Sequence, residues 1–289
     1  MTAVADLVDT GPGRRCLVMG VVNVTPDSFS DGGRWTSADD AIARGLALVA
    51  DGADLVDVGG ESTRPGALRI DEDEELRRVL PVVEGLVGAG VTVSVDTMRS
   101  RVAERALEAG ARLVNDVSGG RADPAMMPLV AASGSPMVLM HWRGHSDRMQ
   151  DLTDYDDVVD DVLRELQERV DAAVAAGVAL EQVVVDPGLG FSKTGDQNWT
   201  LLASLHRFAA LGLPMLVAAS RKGFLGGLLA HDDADGTPVA RPPEQRDDAT
   251  AAITTLAASA GAWAVRVHEA AASADAVRVV ERLAKERAR

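Results

Sequence analysis

The chain has 289 residues, of which 46% are hydrophobic, only 3% are aromatic and 28 are glycine. This composition permits a full core and disfavours a β-sandwich or propeller rich in aromatic strands. The net charge of −15, without clustered positive charge, predicts no nucleic-acid partner, and any anionic ligand must be held by a few local cations.

The start of the chain shows no sign of a targeting or membrane segment. Residues 1–14 lack a basic region leading into an apolar stretch, and no uncharged apolar run reaches the roughly 18 residues of a membrane helix. We therefore predict a flexible tail over 1–14, a single domain over 15–289 and a cytoplasmic protein with no membrane partner. Cys16 is the only cysteine, which excludes an intramolecular disulfide.

From residue 16 onward one pattern repeats eight times: a short apolar run, a polar or glycine-rich turn, and a stretch with helical spacing of apolar residues. The segment 231–245 interrupts this pattern and is predicted to be a mobile loop. The predicted strands are 16–22, 54–58, 91–95, 112–115, 136–140, 182–185, 214–219 and 263–267. The predicted helices are 37–51, 72–88, 99–109, 123–133, 156–176, 197–211, 246–260 and 273–287. The glycines expected to close helices are Gly52, Gly90, Gly110, Gly134, Gly177 and Gly212.

The repeated pattern predicts an α/β fold of the (β/α)8 TIM-barrel type. Strands that read as continuous apolar runs are buried on both faces, as in parallel sheets. Eight β-then-α cycles fit a closed barrel, and the alternative is an open doubly wound sheet. The absence of a G-x-G-x-x-G sequence after the first strand weakens that alternative. In a barrel, functional residues are expected at the carboxyl ends of the strands.

The first two strand ends carry an amide and a basic residue. Asn23 ends the first run and offers an oxygen to a hard cation, although the Pro-Asp turn that follows has a purely structural reading. The second run leads into Asp57-Val-Gly-Gly-Glu-Ser-Thr-Arg-Pro-Gly, in which Arg64 is suited to phosphate oxygens. A glycine-rich turn with one arginine is weak evidence for a phosphate site when it is taken alone.

The next three strand ends have competing interpretations. Asp96 follows the third run and either caps the helix predicted from residue 99 or faces a ligand. Asn115 ends the fourth run, where its amide suits a ligand edge that carries donors. His141 follows the fifth run, and a structural role is as open to it as a functional one.

The last three strand ends combine a carboxylate, aromatic rings and cations. Asp186 precedes a glycine turn and Phe191, which together read as a ligand clamp. Ser220 and Lys222 meet the start of a short helix, a place that favours anions. At the eighth end Arg266 and His268 fall on the same face of an extended strand and are positioned, with the basic residue of the second loop, to bracket a diphosphate.

The segments Asn-Val-Thr-Pro-Asp-Ser-Phe-Ser-Asp-Gly-Gly from residue 23 and Asp-Val-Gly-Gly-Glu-Ser-Thr-Arg-Pro-Gly from residue 57 resemble the two signature loops of dihydropteroate synthases. The resemblance continues in the family's order through Ser-Val-Asp-Thr, Val-Asn-Asp-Val-Ser-Gly-Gly, Met-His, Asp-Pro-Gly-Leu-Gly-Phe-Ser-Lys, Ser-Arg-Lys and Arg-Val-His. It covers residue 17 to the C-terminus, except that 143–155 and 231–245 have no clear match.

This resemblance implies a TIM-barrel transferase of folate biosynthesis, usually a homodimer and a target of sulfonamides. Its substrates would be p-aminobenzoate and a dihydropterin diphosphate with Mg²⁺. The implied pterin site is Asp96, Asn115, Asp186 and Lys222. The implied diphosphate site is Asn23, Arg64, Arg266 and His268, with the metal near Asn23. The implied p-aminobenzoate site is Phe29, Thr63, Pro65, Phe191, Ser220 and Lys222. The implied catalytic set is Arg64, Lys222, Arg266 and His268.

The resemblance also implies a mechanism without a strong base, because an aromatic amine needs little deprotonation before it attacks. Loss of diphosphate from the pterin methylene is the difficult step, and the cations and Mg²⁺ would stabilise it. Two relatives remain as alternatives. Pterin-dependent methyltransferases share the barrel but not the expected first loop, and inactive paralogues tend to lose the Glu-Ser-Thr-Arg-Pro-Gly segment, which is intact from Glu61 to Gly66.

Overall fold

The barrel strands fall within or next to the predicted apolar runs. The computed structural model describes residues 7, 14–24, 38–62, 66–67, 69–233 and 235–287, and within them eight parallel strands form one sheet. These strands are β1 (Leu17–Asn23), β2 (Leu55–Gly59), β3 (Val93–Asp96), β4 (Leu113–Asp116), β5 (Met137–Met140), β6 (Val183–Asp186), β7 (Leu216–Val217) and β10 (Ala264–Val267).

The strand order closes the sheet into a barrel. Neighbouring strands follow the order β6-β5-β4-β3-β2-β1-β10-β7, and each neighbouring pair in this order is joined by a parallel ladder. A parallel bridge between Val185 and Met215 joins the two ends, and the Val185 N–H donates to the Pro214 carbonyl at 2.9 Å. The predicted (β/α)8 barrel is therefore confirmed, and the open doubly wound alternative is wrong.

Helices follow the strands as predicted, and acidic side chains begin two of the long ones. Asp71 accepts the Glu74 N–H at 2.7 Å, and Asp157 accepts the Val159 N–H at 2.9 Å, which satisfies backbone donors that have no partner inside the helix. The helices are α1 (Ala38–Ala50), α2 (Glu72–Gly88), α3 (Ser100–Glu108), α4 (Met126–Ser133), α5 (Val158–Ala175), α6 (Gly195–Ala203), α7 (Leu205–Ala209), α8 (Gly223–Leu228), α9 (Asp247–Ser259) and α10 (Ala271–Arg287).

The helix ends confirm the glycine prediction and correct one segment. The segment 197–211, predicted as one helix, consists of two short helices, α6 and α7, that meet at Ser204. A left-handed backbone suits glycine because it has no Cβ to clash with the preceding turn. All six glycines predicted at helix ends have a positive φ: Gly52, Gly90, Gly110, Gly134, Gly177 and Gly212.

Side chains inside the barrel change from apolar to polar along the strand direction. The layer near the amino ends is apolar and includes Met19, Leu55, Leu113, Val138, Val184, Leu216 and Ala264. Side chains two residues apart point to the same face of a strand, so the next inward layer follows from the sequence. On four strands that layer is polar: Asp57, Asn115, Asp186 and Arg266. The polar layer faces the carboxyl ends, where barrel sites lie.

Two segments outside the repeated pattern carry structure that the sequence did not indicate. Within 231–245, strands β8 (His231–Asp232) and β9 (Pro238–Val239) form a short antiparallel hairpin, where a loop was predicted. In the predicted tail, the Leu7 carbonyl accepts the indole N–H of Trp263 at 2.9 Å, while the rest of 1–13 lies outside the described residues. None of the described helices is long and apolar enough to cross a membrane.

Candidate active site

A cavity of about 1220 Å³ opens at the carboxyl ends of β1, β6, β7 and β10. Its position is the one expected for a barrel site. Four residues of the predicted site, Phe29, Thr63, Arg64 and Pro65, lie outside the described residues. The cavity wall brings together six of the predicted site residues: Asn23, Phe191, Ser220, Lys222, Arg266 and His268.

Arg266 connects the cavity wall to buried carboxylates in the barrel interior. Its Nε donates to Asp57 Oδ2 at 2.6 Å, and its Nη2 donates to Asp96 Oδ2 at 2.7 Å. Asp57 is fully buried and Asp96 nearly so. Arg266, which is predicted to bind the diphosphate, is thus hydrogen-bonded to two buried carboxylates that fix its orientation. An anion in the cavity would therefore meet a guanidinium group that is already held in place.

Asn115 belongs to the same buried group, although it does not line the cavity. Its Nδ2 donates to Asp57 Oδ2 at 2.9 Å. Asp57 Oδ1 and Ser94 Oγ, on paired positions of β2 and β3, are buried and have no hydrogen-bond partner in the described part of the chain. Unpaired buried polar atoms are costly, so this is a place for a water or for the polar edge of a ligand.

Burial shifts the pKa values of the ionisable groups around the cavity floor, the buried group that includes Asp57 and Asp96. It raises the pKa of Asp186 to about 6, although the Gly188 N–H donates to its Oδ1 at 2.7 Å. It also raises the pKa of Asp96, against the opposing effect of the Arg266 guanidinium. Desolvation acts in the other direction on the Lys222 ammonium and lowers its pKa to about 8. The floor therefore offers acceptors whose charge changes near neutral pH.

The turn after β7 carries two cations, Arg221 and Lys222, that both line the cavity but have different partners. Lys222 Nζ lies 4.1 Å from the centre of the Phe191 ring, so a cation and an aromatic face stand side by side. Arg221, with a left-handed backbone (φ 59°), forks onto Asp247 at 2.8 and 2.7 Å instead. Lys222 is therefore the cation of this turn that lies against an aromatic ring, and Arg221 is the one paired with a carboxylate.

Ser220 joins the ends of β7 and β10. Its hydroxyl oxygen accepts the backbone N–H of His268 at 3.2 Å and lies 3.0 Å from the ring nitrogen Nδ1 of the same residue. Arg266 and His268 both line the cavity, which agrees with the strand alternation read from the sequence. Together with the Lys222 ammonium, the Arg266 guanidinium and the His268 imidazole line this wall above the buried carboxylates.

Two buried residues that organise the candidate site were not predicted from the sequence. Asp57 stands in a signature segment, but its central place beneath the arginine depends on the strand register. Arg246 is buried and donates to the carbonyls of Arg241 at 2.6 Å, Arg221 at 2.8 Å and Lys222 at 3.2 Å, so it holds the turn after β7. It lies next to the unmatched 231–245 segment, where no pattern indicated a buried arginine.

Two open interpretations are resolved. Asp96 is not a helix cap, because α3 begins at Ser100 and the Ser100 N–H is held by Asp123 Oδ2 at 2.7 Å. His141 is buried, and its ring nitrogens lie 2.9 Å from Glu165 Oε2 and 3.0 Å from Lys193 Nζ. The contacts of His141 are therefore buried hydrogen bonds to protein groups, as its structural interpretation predicts.

Asn23 is the candidate residue for a metal. No group of three or more His, Cys, Asp or Glu side chains in the described residues is arranged to hold a metal ion alone. Mg²⁺ that arrives with a diphosphate keeps phosphate oxygens and waters as most of its ligands and needs only one or two protein oxygens. An amide oxygen at the end of β1, on the wall of a cavity with a cationic rim, fits that requirement.

Comparisons with known proteins agree on one family. Residues 19–268 match the family described as pterin binding enzyme. The dihydropteroate synthase of Mycobacterium leprae is 58% identical over 264 residues, which cover 91% of this chain and 92% of that protein. A Xanthomonas albilineans dihydropteroate synthase solved with 4-aminobenzoic acid has a TM-score of 0.85, 45% identity and 94% coverage of each chain. A Yersinia pestis dihydropteroate synthase solved with a sulfonamide drug has a TM-score of 0.86, 40% identity and coverage of 94% and 95%.

Proposed function

The chain belongs to the pterin-binding enzymes and within them to the dihydropteroate synthases, transferases of folate synthesis, and from this premise we propose its reaction. It condenses 6-hydroxymethyl-7,8-dihydropterin diphosphate with p-aminobenzoate to 7,8-dihydropteroate and diphosphate. The observation that carries the proposal is a cavity rim with the cations Lys222 and Arg266 and the imidazole of His268, above a buried floor of Asp57 and Asp96. A polyanion and a donor-rich heterocycle match this arrangement.

The pterin ring would bind to the floor of the cavity. Its amino-pyrimidinone edge presents parallel N–H donors, as a guanidinium does, and a carboxylate accepts such a pair. Asp186 supplies that carboxylate, while Asp96 and Asn115 hold the remaining ring edge, and Lys222 donates to it from the wall. Asp57, with an oxygen that has no partner among the described residues, extends the acceptor surface below them.

The diphosphate would lie against the rim. Arg266 and His268 stabilise the negative charge that develops on the departing oxygen, with Arg64 from the second loop as a further donor. Because Arg266 is already fixed by two carboxylates, it needs little reorganisation when that charge appears. Asn23 would hold Mg²⁺ together with the phosphate oxygens, and the bound ion would neutralise part of the leaving group's charge.

The amine would bind between Phe191 and the turn after β7. The Lys222 ammonium beside the Phe191 ring suits an aromatic carboxylate, with Ser220 on the same wall. Phe29, Thr63 and Pro65, which lie outside the described residues, are the further residues proposed for this site. The Xanthomonas protein solved with 4-aminobenzoic acid supports this substrate, and the Yersinia protein solved with a sulfonamide drug supports sulfonamides as competitors for the same position.

The chemistry needs positioning and charge stabilisation rather than a strong base. The C–O bond between the pterin methylene and the diphosphate breaks, the amine nitrogen forms a C–N bond to that carbon, and the nitrogen then loses one proton to solvent or diphosphate. The chain's residues hold the two reactants in line and limit access of water to the electron-poor methylene. The cavity wall accordingly shows cations and an aromatic ring beside the place where the two reactants would meet.

We also propose that two chains associate through their last two helices. Leu256 on α9 is 62% exposed, and Val279 and Leu283 on α10 are 56% and 51% exposed, although large apolar side chains usually prefer burial. A homodimer would cover them. Light scattering over a concentration series measures the mass directly; a single-chain mass at all concentrations would refute this part.

The experiment that tests the proposed reaction measures diphosphate release from the purified protein given the pterin diphosphate. Release that depends on both p-aminobenzoate and Mg²⁺ is expected. Pterin binding without amine-dependent release would favour a methyltransferase or an inactive paralogue instead. Absence of pterin binding would contradict the assignment of the barrel floor.

A further inference from the structure

The loop from Pro187 to Thr194, between β6 and α6, carries Phe191. Its backbone conformation includes a strained residue, so contacts with the surrounding side chains must stabilise it. Gly188 and Gly190 have φ of 70° and 81°, and Ser192, which is not a glycine, has φ of 49°. A left-handed backbone is strained for a residue other than glycine and persists only where its surroundings impose it. The surroundings of this loop are therefore where its shape is determined.

Lys193 is the first part of those surroundings. Its side chain is 3% exposed, and Nζ lies 3.0 Å from the Gly188 carbonyl, 2.9 Å from the Phe191 carbonyl and 3.0 Å from His141 Nδ1. A lysine ammonium has three N–H donors, and here protein acceptors take all three. Lys193 thus closes the loop on itself by joining the carbonyls on either side of Leu189 and Gly190.

His141 extends this contact to Glu165 on α5. Because His141 Nδ1 accepts from Lys193, its Nε2 carries the proton and donates to Glu165 Oε2 at 2.9 Å. Glu165 also accepts from Arg143 Nε at 3.1 Å and Nη2 at 2.5 Å.

Arg143 completes the circuit. Its guanidinium lies 3.7 Å from the centre of the Tyr155 ring. The Tyr155 hydroxyl in turn donates to the Ser192 carbonyl at 2.9 Å. The chain of contacts therefore returns to the loop at the residue with the left-handed backbone.

We propose that this group, the Lys193 cluster (His141, Arg143, Tyr155, Glu165 and Lys193), positions the Phe191 ring and so sets the affinity of the cavity for the aromatic amine. The inference rests on the proposed function. The cluster acts on the loop backbone immediately around the ring, which lies 4.1 Å from Lys222 Nζ and packs in a buried group with Val117, Met140 and Met149. Its members are positioning residues, because their hydrogen bonds go to protein groups and leave the reacting atoms to others.

The prediction separates the two substrates. Losing the Lys193 donors frees the carbonyls of Gly188 and Phe191, whereas Asp57, Asp96 and Arg266 stay bonded to one another. In Lys193→Met, the KM for p-aminobenzoate should rise roughly 10- to 100-fold, the scale of a lost hydrogen bond to a charged group. The dissociation constant of the pterin diphosphate should stay within about twofold of the wild-type value, because the substitution removes binding energy for p-aminobenzoate only.

A matched control lies at the other end of the same strand. Gln182 is buried before β6 and donates to the carbonyls of Val130 at 3.3 Å and Ser135 at 2.7 Å. Gln182→Met also removes a buried donor that joins two carbonyls, but at the amino end of the barrel. It should lower the melting temperature and leave both KM values unchanged.

A milder variant protects the test against loss of folding. Tyr155→Phe removes only the hydroxyl that bonds the Ser192 carbonyl, and the KM for p-aminobenzoate should rise roughly 2- to 10-fold. If Lys193→Met does not fold, this variant decides the question. An unchanged KM for p-aminobenzoate in folded variants, or equal losses for both substrates, would overturn the role of the cluster. Wild-type protein without amine-dependent diphosphate release would instead overturn the proposed function, which the same assay shows first.

Discussion

Replacing Arg266 by alanine tests the arginine that links the cavity to the buried carboxylates. The change leaves Asp57 and Asp96 without their common partner, at 0% and 9% exposure. Breaking a buried ion pair from one side costs about 3–5 kcal/mol. Protonation of Asp96, whose pKa burial raises, offsets part of that cost. For a barrel of this size, the melting temperature should fall by roughly 6–20 °C.

The loss of activity in Arg266→Ala should exceed what unfolding explains. Removing one preorganised donor to a developing negative charge costs about 10²- to 10³-fold in turnover. The assay is diphosphate release per folded molecule at saturating substrates, well below the melting temperature of the variant. Near-wild-type turnover in folded Arg266→Ala would refute the reasoning.

A matched arginine pair at the opposite end of the barrel provides the control. Arg15 forks onto Asp54 just before β2, with one contact at 2.8 Å, and both side chains are partly exposed. Because exposed pairs contribute about 0–1 kcal/mol, Arg15→Ala should change the melting temperature little and turnover not at all. A comparable loss of turnover in this variant would show that the Arg266 effect is not specific to the cavity.

Three further outcomes follow from the same geometry. The pKa of Asp186 is raised to about 6, so the ionised acceptor is lost as the pH falls through that value. At pH values below about 6, kcat/KM for the pterin diphosphate should therefore decrease. Asp186→Asn should bind the pterin diphosphate weakly and should show no such pH dependence. Gly188→Ala places a Cβ 2.4 Å from the His141 carbonyl, whereas Gly212→Ala, at a similar positive φ, meets nothing within 4 Å; the first variant should lose clearly more thermal stability, and equal losses would argue against the clash. Asn23→Ala should raise the Mg²⁺ concentration needed for half-maximal diphosphate release; an unchanged Mg²⁺ dependence would remove Asn23 from the metal site.

The sequence predicted the barrel because its periodicity is strong in every repeat. Apolar runs and helical spacing located the eight strands, and the glycines after the helices all have the left-handed backbone expected of them. Strand alternation also placed Arg266 and His268 together on the cavity wall. These features depend on local pattern, which a single sequence contains.

The contacts that the sequence did not show depend on register and on distant segments. Arg266 meets Asp57 across 209 residues of chain, and Lys193 meets His141 across 52. Both pairings are fixed by which strands are neighbours and by how far each is shifted along the barrel. Arg246 was missed for the same reason, since its partners are carbonyl oxygens, which every residue carries.

The most direct test of the central claim compares the two products of the reaction. Purified protein would be given the pterin diphosphate, p-aminobenzoate and Mg²⁺, and 7,8-dihydropteroate and diphosphate would be quantified together over time by chromatography and mass spectrometry. Equal amounts of the two products, both absent when p-aminobenzoate is omitted, are the predicted result. Diphosphate without dihydropteroate, or neither product from folded protein that binds the pterin, would contradict the proposed condensation.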